Sequence, residues 1–225
     1  YFIPNACVFS NAGISRNRTE SHDVRFSFDN GGMFRASVGY LYSKDRDLTQ
    51  NAFATAPPLT AVPTAPLNPA IASNYLLYVV LGQTVTENEI SSPFAEVSVS
   101  LMDGKLRIGA EGRYTEEKRY QQALASGGAG GVVAVTGLAF NATYNSFTPR
   151  LTVDYNLAPD HLVYASAAKG VKSGGFNTTA FLPENRAFDE DTNWTYELGT
   201  KNTFGNFRFN ANVFYTDWTD QQVVV

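Results

Sequence analysis

The sequence has one cysteine, Cys7, and few charged residues, at 17% of 225 positions. One cysteine builds no internal disulfide and no CxxC metal or redox site, so we interpret Cys7 as an unpaired loop thiol. The net charge of −4 includes no basic cluster, which argues against nucleic-acid binding. The longest apolar run, Tyr75 to Leu81, is far shorter than the ~20 residues of a membrane-spanning helix. Any membrane crossing must therefore use β-strands.

What the chain does contain is typical of strands and turns. Aromatic residues make up 13% of the positions, and Thr, Asn and Gly are plentiful, which favours an all-β fold. The chain opens at Tyr1 without a Met or a signal peptide and stops at Val225 in mid-segment. We therefore expect it to be a fragment of a longer protein.

Four pairs of alternating segments are each joined by a tight turn rich in Asn, Asp, Gly or Pro. Three long connections, Lys44–Glu89, Glu116–Ser146 and Gly170–Asn193, separate the pairs and are predicted to be unstructured loops. The predicted hairpins are Thr19–Phe28 with Met33–Ser43, Phe94–Leu101 with Lys105–Thr115, Phe147–Leu157 with Leu162–Lys169, and Trp194–Thr203 with Phe207–Asp217.

Alternation within these strands places apolar and charged residues on opposite faces. In the second strand, Phe34, Val38 and Tyr40 oppose Arg35. The sixth strand, Leu162–Lys169, carries small residues on both faces and leaves its orientation open. The charged residues predicted to share one polar face are Arg35, Arg107, Glu111, Arg113, Arg150 and Glu197.

A soluble β-sandwich also alternates, so alternation alone does not indicate a membrane protein. Strands of about 9–11 residues, however, match a tilted membrane crossing. Tight turns at one end and long loops at the other are typical of outer-membrane barrels. Aromatic residues collect toward the long-loop ends, where an aromatic girdle would lie; these are Tyr40, Tyr42, Tyr114, Trp194, Tyr196 and Tyr215.

The second half of the chain resembles the barrels of TonB-dependent receptors. The resemblance lies in Leu162–Ser166 (LVYAS), Lys172–Asn177 (KSGGFN) and Tyr196–Lys201 (YELGTK), and it is specific in motif only from about Phe147 onward. It implies that residues 1–225 are part of an antiparallel transmembrane β-barrel domain, contributing about eight strands to a barrel of about 22 with a plugged lumen. No plug domain, TonB box or terminal aromatic strand is present in the sequence.

The resemblance also implies a function. A monomeric barrel in the bacterial outer membrane would contact lipid, couple to the TonB complex, and import a scarce nutrient such as an iron-siderophore complex. For the ligand-binding residues we expect Lys172, Asn177 and Arg186 of the third loop.

No enzyme signature accompanies these features. His22 and His161 have no partner at catalytic or metal-ligand spacing, and Asp189–Asp191 lacks the spacing of a calcium loop. We therefore expect neither catalysis nor a cofactor or bound metal. Two alternatives stay open from sequence: a passive porin or channel, and a soluble β-rich carbohydrate-binding protein.

Overall fold

The structure, a computed structural model, describes residues 8–56, 77–125, 139–177 and 187–223. Within these residues the strands are β1 (Val8–Asp29), β2 (Phe34–Ala56), β3 (Leu77–Leu101), β4 (Leu106–Ala125), β5 (Ala139–Ala158), β6 (His161–Lys172), β7 (Gly175–Phe176), β8 (Ala187–Phe188), β9 (Asp191–Phe204) and β10 (Phe207–Thr219). Eight of them form one sheet in the order β1-β2-β3-β4-β5-β6-β9-β10, and β7 pairs with β8. The described part of the chain has no helix long and apolar enough to span a membrane.

Every pairing in the sheet is antiparallel, and the four predicted hairpins are confirmed. The turns are short because their side chains and backbone suit reversal. In the first turn, the Asp29 carboxylate accepts a hydrogen bond from the Gly31 amide at 2.9 Å. The last turn contains only Gly205 and Asn206, between the paired residues Phe204 and Phe207.

The strands are longer than the sequence predicts, and the prediction of three unstructured loops is wrong in part. The connection Lys44–Glu89 is strand up to Ala56 and again from Leu77, and Glu116–Ser146 is strand to Ala125 and from Ala139. Backbone pairing continues there although apolar alternation stops. Along Lys44–Asp47 and Glu116–Arg119, consecutive residues are charged, so charged side chains occupy both faces. The proline-rich stretch of the first connection and Cys7 lie outside the described residues.

The sheet is a single layer whose apolar face is uncovered. Leu151, Leu198 and Val213 on this face are 58%, 60% and 68% exposed. Among the described residues, only Val85 and Phe94 are buried hydrophobic side chains. A soluble sandwich would cover such a face with a second sheet. The architecture is that of an all-β barrel wall, open along both edges.

The register fixes the orientation of β6, which the sequence leaves open. Ala168 lies opposite Arg150 of β5 and opposite Thr195 of β9. Directly opposed residues point to the same face of a sheet. The even-numbered residues of β6 therefore share the polar face with Arg150, and the odd-numbered ones share the apolar face.

A girdle of tyrosines ends the apolar face toward the long connections. Tyr40 lies opposite Pro93, and Tyr114 lies opposite Phe147. The Tyr40 hydroxyl donates to Ser91 Oγ at 3.1 Å, and the Tyr114 hydroxyl donates to Asn145 Oδ1 at 3.0 Å, so both hydroxyls point away from the apolar rows. This is the arrangement of aromatic residues at a membrane-water boundary.

Beyond the girdle, the same face becomes charged. Lys44 pairs with Glu89 at 3.2 Å, Arg46 pairs with Glu87 at 3.1 Å, and Lys118 pairs with Glu116 at 3.1 Å. The hydrogen bond from Lys44 to Glu89 raises the pKa of Lys44 above its ordinary value. The change from apolar to ion-paired residues marks where the apolar belt ends.

Candidate functional site on the polar face

The centre of the polar face is a row of side chains that crosses the sheet. Ser27, Ser37, Glu96, Glu111 and Arg150 lie directly opposite one another on β1 to β5. Ser37 donates to Glu96 Oε1 at 2.9 Å and lies 3.2 Å from the Ser27 hydroxyl oxygen. The row lines an open groove that offers hydrogen-bonding groups and both charge signs.

One row closer to the long connections, an aromatic ring separates two arginines. Arg25, Gly39, Phe94 and Arg113 lie opposite one another on β1 to β4. The Phe94 ring lies over Gly39 so closely that a Cβ on Gly39 would be 2.4 Å from Phe94 Cζ. The guanidinium carbons of Arg25 and Arg113 are 4.8 Å and 4.6 Å from the ring centroid, which is cation-π distance. Phe94 is only 6% exposed although it is on the polar face.

The segment after β6 folds back onto the polar face and is anchored there. Glu117 of β4 is 7% exposed, and its carboxylate accepts hydrogen bonds from the Ser173 hydroxyl and, at 2.6 Å, from Arg119 Nε. Arg119 Nη1 also donates to the Gly174 carbonyl at 2.7 Å. These contacts connect the root of the third loop to β4 through a buried carboxylate.

An aromatic residue completes this anchor. Tyr144 of β5 lies so close to Gly174 that a Cβ there would be 2.5 Å from Tyr144 Cε1. Burial raises the pKa of the Tyr144 phenol, while the nearby Arg119 charge acts in the opposite direction. Nearby, the Phe140 ring stacks on the Phe176 ring at a centroid distance of 5.4 Å. The first residues of the third loop, Gly174 to Phe176, therefore pack against β4 and β5.

The other end of that loop is held by the segment that follows β10. Gln222 Nε2 donates to the carbonyls of Ser173 at 3.0 Å and Asp189 at 2.9 Å. The backbone N–H of Gln222 donates to Asp191 Oδ2 at 3.3 Å, and Asp191 is 1% exposed. One glutamine thus links both roots of the third loop.

Two of the three sequence motifs that carry the resemblance contact each other. Tyr164 of the LVYAS segment lies over Gly199 of the YELGTK segment, where a Cβ would be 2.5 Å from Tyr164 Cζ. The Tyr164 hydroxyl donates to Glu197 Oε1 at 2.6 Å, and Lys201 Nζ is 5.3 Å from the ring centroid. The residues recognised by pattern therefore form one packed cluster between β6 and β9.

The structure places the six predicted polar-face residues together. The register puts them on the groove side of β2, β4, β5 and β9; they are Arg35, Arg107, Glu111, Arg113, Arg150 and Glu197. Arg35 forms an ion pair with Asp29 at 2.9 Å.

The predicted ligand-binding residues are less fully placed. Lys172 is exposed at the end of β6, opposite Asp191, and Asn177 is exposed just after β7. Arg186 lies outside the described residues. That these three residues bind ligand stays a prediction.

The two histidines have local partners. His22 Nε2 is 3.1 Å from Glu20 Oε1, and His161 Nδ1 is 3.1 Å from Asn202 Oδ1, with the His161 ring against Phe204. Among the residues that the structure describes, no group of three or more His, Cys, Asp or Glu side chains is arranged to hold a metal ion.

Sequence reasoning missed the Phe94 ring and the Ser173 anchor. Phe94 breaks the apolar alternation of its strand, because the apolar residues that follow it, Ala95, Val97 and Val99, are odd-numbered and point to the other face. Its position beside Pro93 was the one available signal. Ser173 and Glu117 are 56 residues apart in the chain, and no local pattern predicts their contact.

Comparison with known proteins agrees with the architecture. The model of the family described as TonB dependent receptor-like, beta-barrel matches residues 4–225. The chain belongs to this family, whose members are outer-membrane receptors.

Solved structures show the same fold. The ferric yersiniabactin uptake receptor FyuA from Yersinia pestis has a TM-score of 0.70 at 19% identity, covering 96% of this chain and 30% of that one. The ferric citrate transporter FecA has a TM-score of 0.63 at 16% identity, covering 93% and 29%. The alcaligin outer-membrane receptor FauA from Bordetella pertussis has a TM-score of 0.60 at 15% identity, covering 96% and 32%. The chain thus spans less than a third of the length of each.

Proposed function

We propose that the chain is part of the barrel wall of an outer-membrane receptor that imports a scarce nutrient by TonB-coupled active transport, with an iron-siderophore complex as cargo. One observation carries the proposal: a single-layer sheet with an uncovered apolar face and a charged opposite face, in a member of the receptor family. In such a barrel the apolar face contacts lipid, and the polar face lines the lumen.

Energetics support this orientation. A charged side chain that faces hydrocarbon at the bilayer midplane costs about 2–4 kcal/mol. Arg107, Glu111 and Arg150 are on the face opposite Leu151 and avoid that cost. The ion pairs of Lys44, Arg46 and Lys118 lie beyond the tyrosine girdle, where water and lipid headgroups solvate them.

The cargo is inferred from the neighbours and from the third loop. The named neighbours include receptors for ferric yersiniabactin and alcaligin and a transporter of ferric citrate, which favours a ferric chelate. Asn177 and Arg186 belong to the loop whose roots are anchored at Ser173 and Asp191, and Lys172 directly precedes the first root. We propose that these three side chains contact the cargo from the cell surface.

The remaining parts of the transporter would come from the rest of a longer protein. A plug domain in the lumen would hydrogen-bond to the row of Ser37, Glu96, Glu111 and Arg150, and a TonB box would connect it to the inner-membrane motor. We propose a monomeric barrel, with residues 1–225 as a part of its wall.

The two alternatives differ from this proposal in specific ways. A passive porin shares the two-faced sheet, but the family is one of receptors, which favours coupled transport. A soluble carbohydrate-binding protein would have to cover the apolar face, which in this sheet is exposed along β1, β5 and β10.

Uptake of radiolabelled iron tests the proposal. A deletion strain is supplied with a panel of ferric siderophores, with the full-length gene restored in a TonB-positive or a TonB-negative background. We expect the restored gene to rescue uptake of at least one chelate in the TonB-positive strain only. Uptake that is equal in both backgrounds would instead indicate a passive channel.

A further inference from the structure

We propose that Arg25, Phe94 and Arg113 form a binding site for an anionic group of the cargo, of the carboxylate type. The inference rests on the proposed function, because it assumes that cargo passes along the polar face. It goes further by naming a site in the wall and the chemistry that the site selects.

The geometry concentrates positive charge at one place. Both guanidinium carbons lie within 4.8 Å of the centroid of a single buried ring. The negative face of the ring's quadrupole attracts each cation and offsets part of their mutual repulsion. Gly39 is required at the neighbouring position, since any side chain would occupy the space of the ring. Both guanidinium groups therefore lie against the same ring before any ligand arrives.

Among the described residues, neither arginine has a carboxylate within ion-pairing distance; Asp23, Glu96 and Glu111 are on the same face one row away. Arg35 and Arg119 on the same face have carboxylate partners at 2.9 Å and 2.6 Å, whereas Arg25 and Arg113 form no ion pair with any residue that the structure describes. The Arg113 guanidinium donates one hydrogen bond to a described residue, from Nη1 to Ser92 Oγ at 3.1 Å. Because a guanidinium has five N–H donors, most donors of this pair have no partner among the described residues.

The position suits a molecule that enters from the side of the long connections. The row of Arg25, Phe94 and Arg113 is level with Tyr40 and Tyr114, the last apolar row of the opposite face. It therefore lies at the mouth of the proposed lumen. Two forked guanidinium groups fit planar carboxylate oxygens, which they bind through paired, charge-assisted hydrogen bonds.

Calorimetric titration of the purified full-length receptor with citrate, a small tricarboxylate, tests the site. The variants are R25Q, R113Q and R25Q/R113Q, and R35Q serves as the matched control because Arg35 already pairs with Asp29. R113K keeps the charge and loses the planar fork. Resistance of each variant to unfolding in detergent at room temperature verifies that it is folded.

We expect wild type and R35Q to bind citrate equally, each single Gln variant to bind about ten-fold more weakly, and the double variant to show no binding heat. R113K is expected to fall between wild type and R113Q. Equal behaviour of wild type and the double variant, including no binding by either, would overturn the proposal. A second result would also overturn the proposal: wild type does not bind citrate, and the double variant unfolds at a lower temperature than wild type. The arginines would then pair with a carboxylate of the protein's own lumen-filling domain.

The titration needs neither TonB nor an energy source. A receptor that binds citrate through Arg25 and Arg113 but fails the uptake assay would contradict the proposed function alone. A receptor that transports a ferric chelate but whose double variant still binds citrate would contradict the arginine site alone.

Discussion

Tyr164 lies across Gly199 on the neighbouring strand, and its hydroxyl donates to Glu197, two residues away on that strand, at 2.6 Å. The ring fills the space that a side chain at position 199 would take. The same relationship holds between Phe94 and Gly39. In both cases a glycine flattens the sheet surface locally so that an aromatic ring can lie against the backbone of the adjacent strand.

Replacing Gly199 with Ala is expected to destabilise the full-length protein by about 1–3 kcal/mol, because the new methyl group displaces the Tyr164 ring. Chemical unfolding in lipid vesicles measures the free-energy change. In the double variant G199A/Y164A the ring is absent and no longer clashes with the new methyl group. The double variant is therefore expected to lose less unfolding free energy than the two single variants lose together. Additive losses would contradict direct packing between the two residues.

Replacing Glu117 with Gln is expected to loosen the root of the third loop. The buried carboxylate accepts hydrogen bonds from Ser173 and Arg119, and an amide neutralises it and replaces one acceptor oxygen with a donor group. Limited trypsin digestion of intact vesicles, read by mass spectrometry, is expected to show faster cleavage after Lys172. Glu116→Gln is the control, because Glu116 pairs with Lys118 on the other face. Equal cleavage of both variants would contradict the anchor.

An arginine in place of Leu151 is expected to cost about 2–4 kcal/mol, because its charge would face hydrocarbon near the bilayer midplane. The same arginine in place of Asn145 is expected to cost about 0–1 kcal/mol, because Asn145 is on the same face of β5 but beyond Phe147 at the boundary. Equilibrium unfolding in vesicles compares the two variants. A similar cost at both positions would contradict the depth that the girdle assigns.

The Tyr144 phenol is expected to ionise at a higher pH than the exposed tyrosines, because burial raises its pKa. Ultraviolet difference titration of wild type against Y144F isolates its absorbance. The neutral phenol is favoured in the folded state, so its contribution to stability is complete below the unfolded-state pKa and is lost as the pH rises through the higher folded-state pKa. A Tyr144 that titrates with the exposed tyrosines would contradict the packed anchor.

The sequence predicted the parts of the fold that depend on neighbours in the chain. Turn residues such as Gly31 and Gly205 act over a few positions, and apolar alternation around Arg150 acts over one strand, so both were found in the structure. The strand extensions to Ala56 and Ala125 were missed because they begin with the charged runs Lys44–Asp47 and Glu116–Arg119, in which both faces are polar and alternation gives no signal.

The candidate site was predicted only in outline. Alternation along each strand predicted which charged residues share the polar face. It did not predict how they pair, because pairing depends on the register between strands that are far apart in the chain. Phe94 was missed because alternation alone makes a phenylalanine on a polar face look like an irregularity. The contacts that stabilise its position are with Gly39, Arg25 and Arg113, which are on other strands.

Accessibility along β5 tests the central claim, that one face of this sheet contacts lipid and the other lines a lumen. Single cysteines are introduced from Phe147 to Leu157 in the full-length protein with Cys7 replaced by Ser, spin-labelled in vesicles, and exposed to oxygen or to a water-soluble nickel chelate. We predict that labels at 147, 151, 153, 155 and 157 collide mainly with oxygen, and that labels at the even positions between them do not. Uniform collision with the nickel chelate at odd and even positions alike would contradict the account.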